Sequence, residues 1–279
     1  MRLSINLFLI LTAAAVTTTK AFVPTPLIQT SHPRQVKSFC DRSMLRMSAD
    51  AIATSAAVGN TSSEFPPILE ELRDVAMRLH TREQAPREGQ AEAPAKPAEP
   101  FVPTQADYLQ FLVDSHAVYV ALEEIVNEVE ALTLFRNSGL ERTQALEKDI
   151  QYMCQRFDLQ RPETGTAGSM YAGKLKSMIQ SDDDIPEFMC HYYNFYFAHL
   201  AGGRMIGKQM SKLLLDGEAL EFYKWGDNVN ELKSSVKALI EKLSKGWNRK
   251  ERDNCINATK DAFQGGGAIN GYLYGRSLH

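Results

Sequence analysis

Three groups of residues in this chain have types and spacings that could do chemistry. The first is His80, with Arg73 seven positions before it and Gln84 four after. An imidazole can hold a metal when a partner fixes its other nitrogen, and Gln84, one turn on, is placed to be that partner. Arg73 and Arg78 add cations for an anionic ligand. The second group is FMCHYYNFYFAHLAGGRMIGK, residues 188–208. It is apolar, aromatic and free of proline, so it reads as a buried helix, yet it carries Gly202-Gly203 and, one turn later, Gly207. A mid-helix glycine costs about 1 kcal/mol relative to alanine, and an adjacent pair invites a kink. A helix accepts them where a second helix or a flat ligand must lie against its backbone. Tyr193, Tyr196 and His199 beside the glycines favour the ligand. The third group is Lys233 and Lys237, an i,i+4 pair on one helix face. Each has a plain alternative: a surface or core histidine, close helix packing, a solvated basic face.

The elements that must position these residues are helical. FPPILEELRDVAMRLHTREQA has proline in its first turn and apolar residues at 3–4 spacing, which places His80 at the edge of the buried face. Residues 85–104 hold five prolines and alternating charge and are expected to be an extended linker loop. From Gln105, behind a Thr104 cap, successive segments keep helical period: TQADYLQFLVDSHAVYVALEEIVNEVEA, GLERTQALEKDIQYMCQRF, SMYAGKLKSMIQ, the glycine-bearing stretch, VNELKSSVKALIEKLSKGW and the run from Lys250 to about Phe263. EALEFYKWGDN ends in a turn, and 266–279 is expected to be a flexible tail. No alternating strands or repeats are evident. The expected fold class is all-α, a single-domain bundle of seven or eight helices.

Composition bounds the function. Hydrophobic residues make up 44% of the 279, enough for a core. Residues 1–21 read as a signal peptide, with Arg2 ahead of the apolar run LSINLFLILTAAAV. Residues 22–47 are Ser/Thr/Pro-rich and basic, as in a transit peptide, and 48–64 are small, polar and expected to be disordered. This two-part leader, joined at Ala21-Phe22, resembles the presequence of algae with complex plastids and implies the plastid stroma. Beyond residue 47, 25 Lys and Arg face 33 Asp and Glu. A charge near −8 gives nucleic-acid binding no support, and stable membrane insertion of the mature protein is not expected. Cys40, Cys154, Cys190 and Cys255 lack metal or disulfide spacing.

MRLHTREQA, YVALEE, LERTQALEKDI, HYYNFYFAHLAGGRMIGK and LEFYKW, in this order across residues 65–265, resemble haem oxygenases, most closely the plastid type. The resemblance implies a haem oxygenase domain over 65–265, with haem b sandwiched between a proximal helix and a kinked, glycine-rich distal helix. It implies His80 as the iron ligand, and Gly202 and Gly203 as the distal glycines that admit porphyrin and O2. His199, following Ala198, stands where many members have aspartate after glycine and plastid-type members have histidine. Tyr119 matches a tyrosine of the same distal water network. Lys237 matches a position that contacts a haem propionate and sets the ring's rotation. Tyr193 matches a propionate-contacting tyrosine and Arg73 a basic position two turns before the ligand, Lys233 shares Lys237's face, and Phe263 is a candidate pocket wall.

The implied reaction opens haem to biliverdin, CO and iron with O2 and electrons from reduced ferredoxin, ahead of a downstream bilin reductase. Lys237, Lys242, Lys245, Arg249, Lys250 and Arg252 would form a basic patch to steer an acidic donor. One alternative is a haem-binding protein without turnover, against which the retained His80 argues. Another is a thiaminase-like all-α hydrolase using Cys190.

Overall fold

The computed structural model describes residues 65–276 except 83, 86, 93–100 and 227. The expected presequence and the 48–64 segment lie outside the described residues. Within them there are nine α-helices and no strand, only an isolated bridge between Thr81 and Ala91. The helices are α1 (Ile68–Leu79), α2 (Gln105–Glu128), α3 (Thr143–Phe157), α4 (Thr166–Met178), α5 (Ile185–Ala198), α6 (Arg204–Leu214), α7 (Val229–Ser244), α8 (Arg249–Asn257) and α9 (Thr259–Tyr274). Among the described residues no helix is long and apolar enough to cross a membrane.

The bundle is built on α2. Its N-terminus is closed by the expected cap: the Asp107 N–H donates to Thr104 Oγ1 at 3.2 Å, and the Thr104 N–H to Asp107 Oδ2 at 2.8 Å. Such reciprocal caps contribute about 1 kcal/mol. Tyr108, Leu109, Leu112, Val118, Tyr119 and Leu122 are almost wholly buried against α3, α4 and α9. Asp114 is also fully buried. Its carboxylate accepts from Gly165 N–H and Gly168 N–H at 2.7 Å each, from Gln110 Nε2–H at 2.8 Å and from Tyr272 O–H at 3.1 Å. This one side chain satisfies the otherwise unpaired first turn of α4 and ties α9 to it. Asp114→Ala is expected to lower unfolding free energy by about 3 kcal/mol, since it strands buried donors; chemical denaturation of the haem-free protein measures this.

Two expectations need correcting. The stretch 266–279 is expected to be a flexible tail, but helix α9 runs through Gly265-Gly266-Gly267 to Tyr274 and ends on Gly275 at φ +67°. Packing outweighs propensity here: a Cβ on Gly265 would lie 2.5 Å from the Tyr171 ring, so the glycine lets α9 approach α4. The start of the Pro-rich loop is not extended either. Gln90 and Ala91 fold back on α1, with the Gln90 N–H donating to Met77 O at 3.2 Å and the Ala91 N–H to His80 O at 2.9 Å.

The expected kink lies at the glycines. A π-helical turn, His199–Gly203, joins α5 to α6. The two walls that would face a ligand stand on shared elements, since α1 and α5 each pack against α7, α8 and α9.

Candidate functional site

His80 is the C-cap of α1, where the backbone leaves the helix at φ −81°, ψ 140°. Its Nδ1 lies 2.7 Å from Ala76 O. A carbonyl only accepts, so Nδ1 carries the proton and Nε2 keeps its lone pair, the form a neutral imidazole needs to bind a metal. The orienting partner is therefore a backbone carbonyl. Gln84 does not have that role: its Oε1 accepts from the Thr81 N–H at 2.9 Å. The edge-on ring of Phe263 packs on His80 with centroids 4.9 Å apart. On the same helix α9, Gly266 adjoins Phe195, whose ring contacts Tyr119 at 5.1 Å. One helix thus links the His80 wall to the distal wall.

In the stretch expected to form the distal wall, the two glycines do different work. A Cβ on Gly202 would meet nothing within 4 Å, so its face is open. A Cβ on Gly203 would come 2.5 Å from His199 Nδ1, so Gly203 makes room for that imidazole. Gly207 is a packing glycine, with the Tyr223 ring 2.6 Å from where its Cβ would be. His199 is buried, and its Nε2 donates to Phe222 O at 2.8 Å. Its ring stacks on Phe222 with centroids 3.9 Å apart and planes 17° apart. Burial pushes its pKa down to about 3, so the ring is neutral, with Nδ1 as an acceptor. Phe222, in the 3₁₀ turn Glu221–Tyr223, is a site residue that sequence reasoning missed; LEFYKW marked the segment but no role within it.

Tyr119 is 1% exposed, and its hydroxyl has no hydrogen-bond partner. Its ring packs against Phe195, Tyr196, His199 and Phe222. An orphaned buried hydroxyl is what a water-bridged distal site requires. Tyr119→Phe is expected to raise the stability of the haem-free protein by about 1 kcal/mol, because it removes an unpaired polar atom. Thermal unfolding checks the sign.

The residues expected to form a cationic rim lie as follows. Lys233 is half-buried, and burial, then Lys237 and Arg204 nearby, hold its pKa below the usual lysine value. Among the described residues no carboxylate pairs with Lys233, Lys237 or Arg204. Lys237 lies over the Phe197 ring at 5.7 Å, and Phe197 stacks with Tyr193 at 4.7 Å. Arg73 is close enough to Tyr193 to pull its pKa down against burial, but its guanidinium is engaged by Glu88 at 2.5 Å. The proposed basic patch is smaller than its sequence. Arg252 is 4% exposed, donates to Pro66 O and adjoins Glu71, while Arg249 pairs with Glu71 and Asp253. These two arginines hold α8 to α1.

Comparison with known proteins decides the family. The family model described as "Heme oxygenase" matches residues 69–267. The "Heme oxygenase 1, chloroplastic" of Oryza sativa subsp. japonica is 40% identical over 224 residues, 80% of this chain and 76% of that protein. This chain belongs to the haem oxygenase family. It is an enzyme of that family by its similarity to relatives at 37–40% identity over most of its length. The same plant also has a relative named "Probable inactive heme oxygenase 2, chloroplastic", 40% identical over 61% of this chain. Among solved structures, haem oxygenase-1 from the cyanobacterium Synechocystis sp. PCC6803, in complex with heme, superposes with a TM-score of 0.53 at 19% identity, covering 62% of this chain and 80% of its own. That likeness supports the all-α haem oxygenase fold. The residues present fit haem. His80 offers a bare Nε2, Gly202 an open backbone face, and Lys233, Lys237 and Arg204 an uncompensated positive rim.

Proposed function

We propose that this protein is a plastid haem oxygenase that opens haem b at a meso bridge to biliverdin, CO and iron, using O2 and electrons from reduced ferredoxin. The product would pass to a bilin reductase for chromophore synthesis. The observation that carries the reading is the state of His80: Nδ1 is committed to Ala76 O, which leaves Nε2 free as an iron ligand. The chloroplastic name of the rice relative and the leader-like residues 1–47 support the plastid stroma.

Haem, when bound, supplies both the redox iron and the carbon framework that is oxidised. The chain's own residues hold and orient it. His80 anchors one face, while Lys233, Lys237 and Tyr193 take the propionate edge, where unpaired cations gain most from carboxylates. Arg73 joins them if it exchanges Glu88 for a propionate. Gly202 leaves the distal face clear for O2. His199 stays neutral and offers Nδ1 to a hydrogen-bond donor, and Tyr119 O–H provides a second anchor for water there. Lys242, Lys245 and Lys250 form the rest of a positive surface for ferredoxin.

The hydrolase alternative loses its support. Cys190 is fully buried, lies 3.4 Å from Thr259 Oγ1 and accepts from Asn194 Nδ2–H at 3.3 Å, so no substrate reaches its thiol. The test is haemin titration followed by reduced ferredoxin or ascorbate. A shifted Soret band that decays as biliverdin absorbance rises is the expected result. A stable Soret band would leave only haem binding, and no shift would overturn the haem reading.

A further inference from the structure

Asp149, on α3, lies outside every role assigned so far. It is 3% exposed, and both of its carboxylate oxygens are used on one turn. Oδ1 accepts from the Glu221 N–H at 2.9 Å and Oδ2 from the Phe222 N–H at 2.7 Å. Phe222 is also the residue that governs His199: its carbonyl accepts from Nε2 and its ring stacks on the imidazole. The next residue, Tyr223, is held by its O–H contact with Tyr108 O–H at 3.2 Å and by the gap at Gly207. Arg142 Nη1 donates to Lys224 O at 2.5 Å just beyond. A short turn without regular helical support is thus clamped at each residue, and its central carbonyl chooses which imidazole nitrogen holds the proton.

We propose that Asp149 is a positioning residue of the distal site: by gripping the Glu221 and Phe222 N–H groups, it fixes the carbonyl that holds His199 as its Nε2–H tautomer, with Nδ1 left as a bare acceptor beside Gly203. The tautomer claim stands on the haem-free geometry alone; its bearing on turnover rests on the haem oxygenase reading. A carboxylate suits the task because it can accept from two N–H groups at once, whereas a carboxylic acid or an amide turns one oxygen position into a donor. Burial raises the Asp149 pKa to about 6 against the two backbone bonds and Lys224, with Glu221 adding to the rise. Tyr108 and Tyr223 also face it; Arg142, Tyr119, Tyr223 and Trp225 surround His199. The grip is therefore complete only well above pH 6 and is lost as the proton adds when the pH falls through about 6.

The test uses 15N-histidine-labelled, haem-free protein, with ring nitrogen shifts read between roughly pH 5 and pH 8. The wild-type His199 ring is expected to show the pure Nε2–H tautomer at the upper end. A step in its shifts should appear near Asp149's pKa of about 6, although His199 itself titrates near 3. In Asp149→Asn, both tautomers are expected at every pH, with the step gone and haemin turnover reduced about tenfold, as for a misplaced group beside the reacting centre. A flat wild-type profile, or an Asp149→Asn spectrum identical to wild type, would overturn the proposal. If Asp149→Asn does not fold, the wild-type step decides it. Because the spectra need no haem, wild-type protein that shows the step but never consumes haemin would sink the oxygenase reading and leave this one standing.

Discussion

His80→Ala is expected to abolish haem turnover while leaving the fold intact. Changing even the partner behind a metal-bound histidine costs about 10–100-fold, so removing the ligand itself should exceed that. Stability should fall only modestly, by about 1–2 kcal/mol. His80 is only partly buried at the C-cap of α1, and the backbone bond from its N–H to Ala76 O survives the substitution. What is lost inside the protein is the Nδ1–H bond to Ala76 O and an edge contact with Phe263. The measurements are haemin turnover, the position of the Soret band and the thermal midpoint. Turnover at the wild-type rate would remove His80 from the site and shift attention to another face of the bundle.

Gly202→Ala and Gly203→Ala should separate two kinds of glycine that look identical in sequence. At 202 the new methyl meets only open space, so the haem-free protein should gain about 0.5–1 kcal/mol from the better helix former. The same methyl then occupies the face proposed for porphyrin and O2, and turnover should fall by more than tenfold, about 1.4 kcal/mol of lost transition-state stabilisation. At 203 the methyl would sit 2.5 Å from His199 Nδ1, and the imidazole cannot move away without breaking its Nε2 bond and its stack on Phe222. That variant should be destabilised before any haem is added, by about 1–3 kcal/mol as for other overpacked cores. Opposite signs in the two unfolding free energies, with turnover reduced in both, are expected. Wild-type turnover in Gly202→Ala would show that nothing binds against that backbone.

Much of this was legible in one dimension because helices announce themselves locally. The 3–4 apolar spacing, the Thr104–Asp107 cap and the Gly202-Gly203 interruption each act over a few residues, so the all-α class and the kinked distal helix could be read from the chain. His80 was marked by its place on an amphipathic edge and by the motif around it. What failed was whatever depends on a partner far along the chain. Gln84 is a local exception: it and Ala76 are both four positions from His80, and the Ala76 carbonyl takes the Nδ1–H while Gln84 turns to the Thr81 N–H. The three glycines at 265–267 looked like a loose tail because their propensity is poor, yet Tyr171 from α4 turns that weakness into close packing. Arg252 looked like surface charge until Glu71 and Pro66, more than 180 positions earlier, enclosed it.

By itself the sequence determined the helical elements, the haem oxygenase resemblance and the side chains proposed to bind iron and propionates. Only the tertiary structure decided the proton position on His199. His80 takes its proton arrangement from its own helix, but His199 takes it from Phe222 O, which Asp149 holds from a third element. Those partners are 23 and 50 residues away along the chain. A tautomer is set by hydrogen-bond partners in space, and periodicity carries no information about a carbonyl that distant until packing brings it within 2.8 Å.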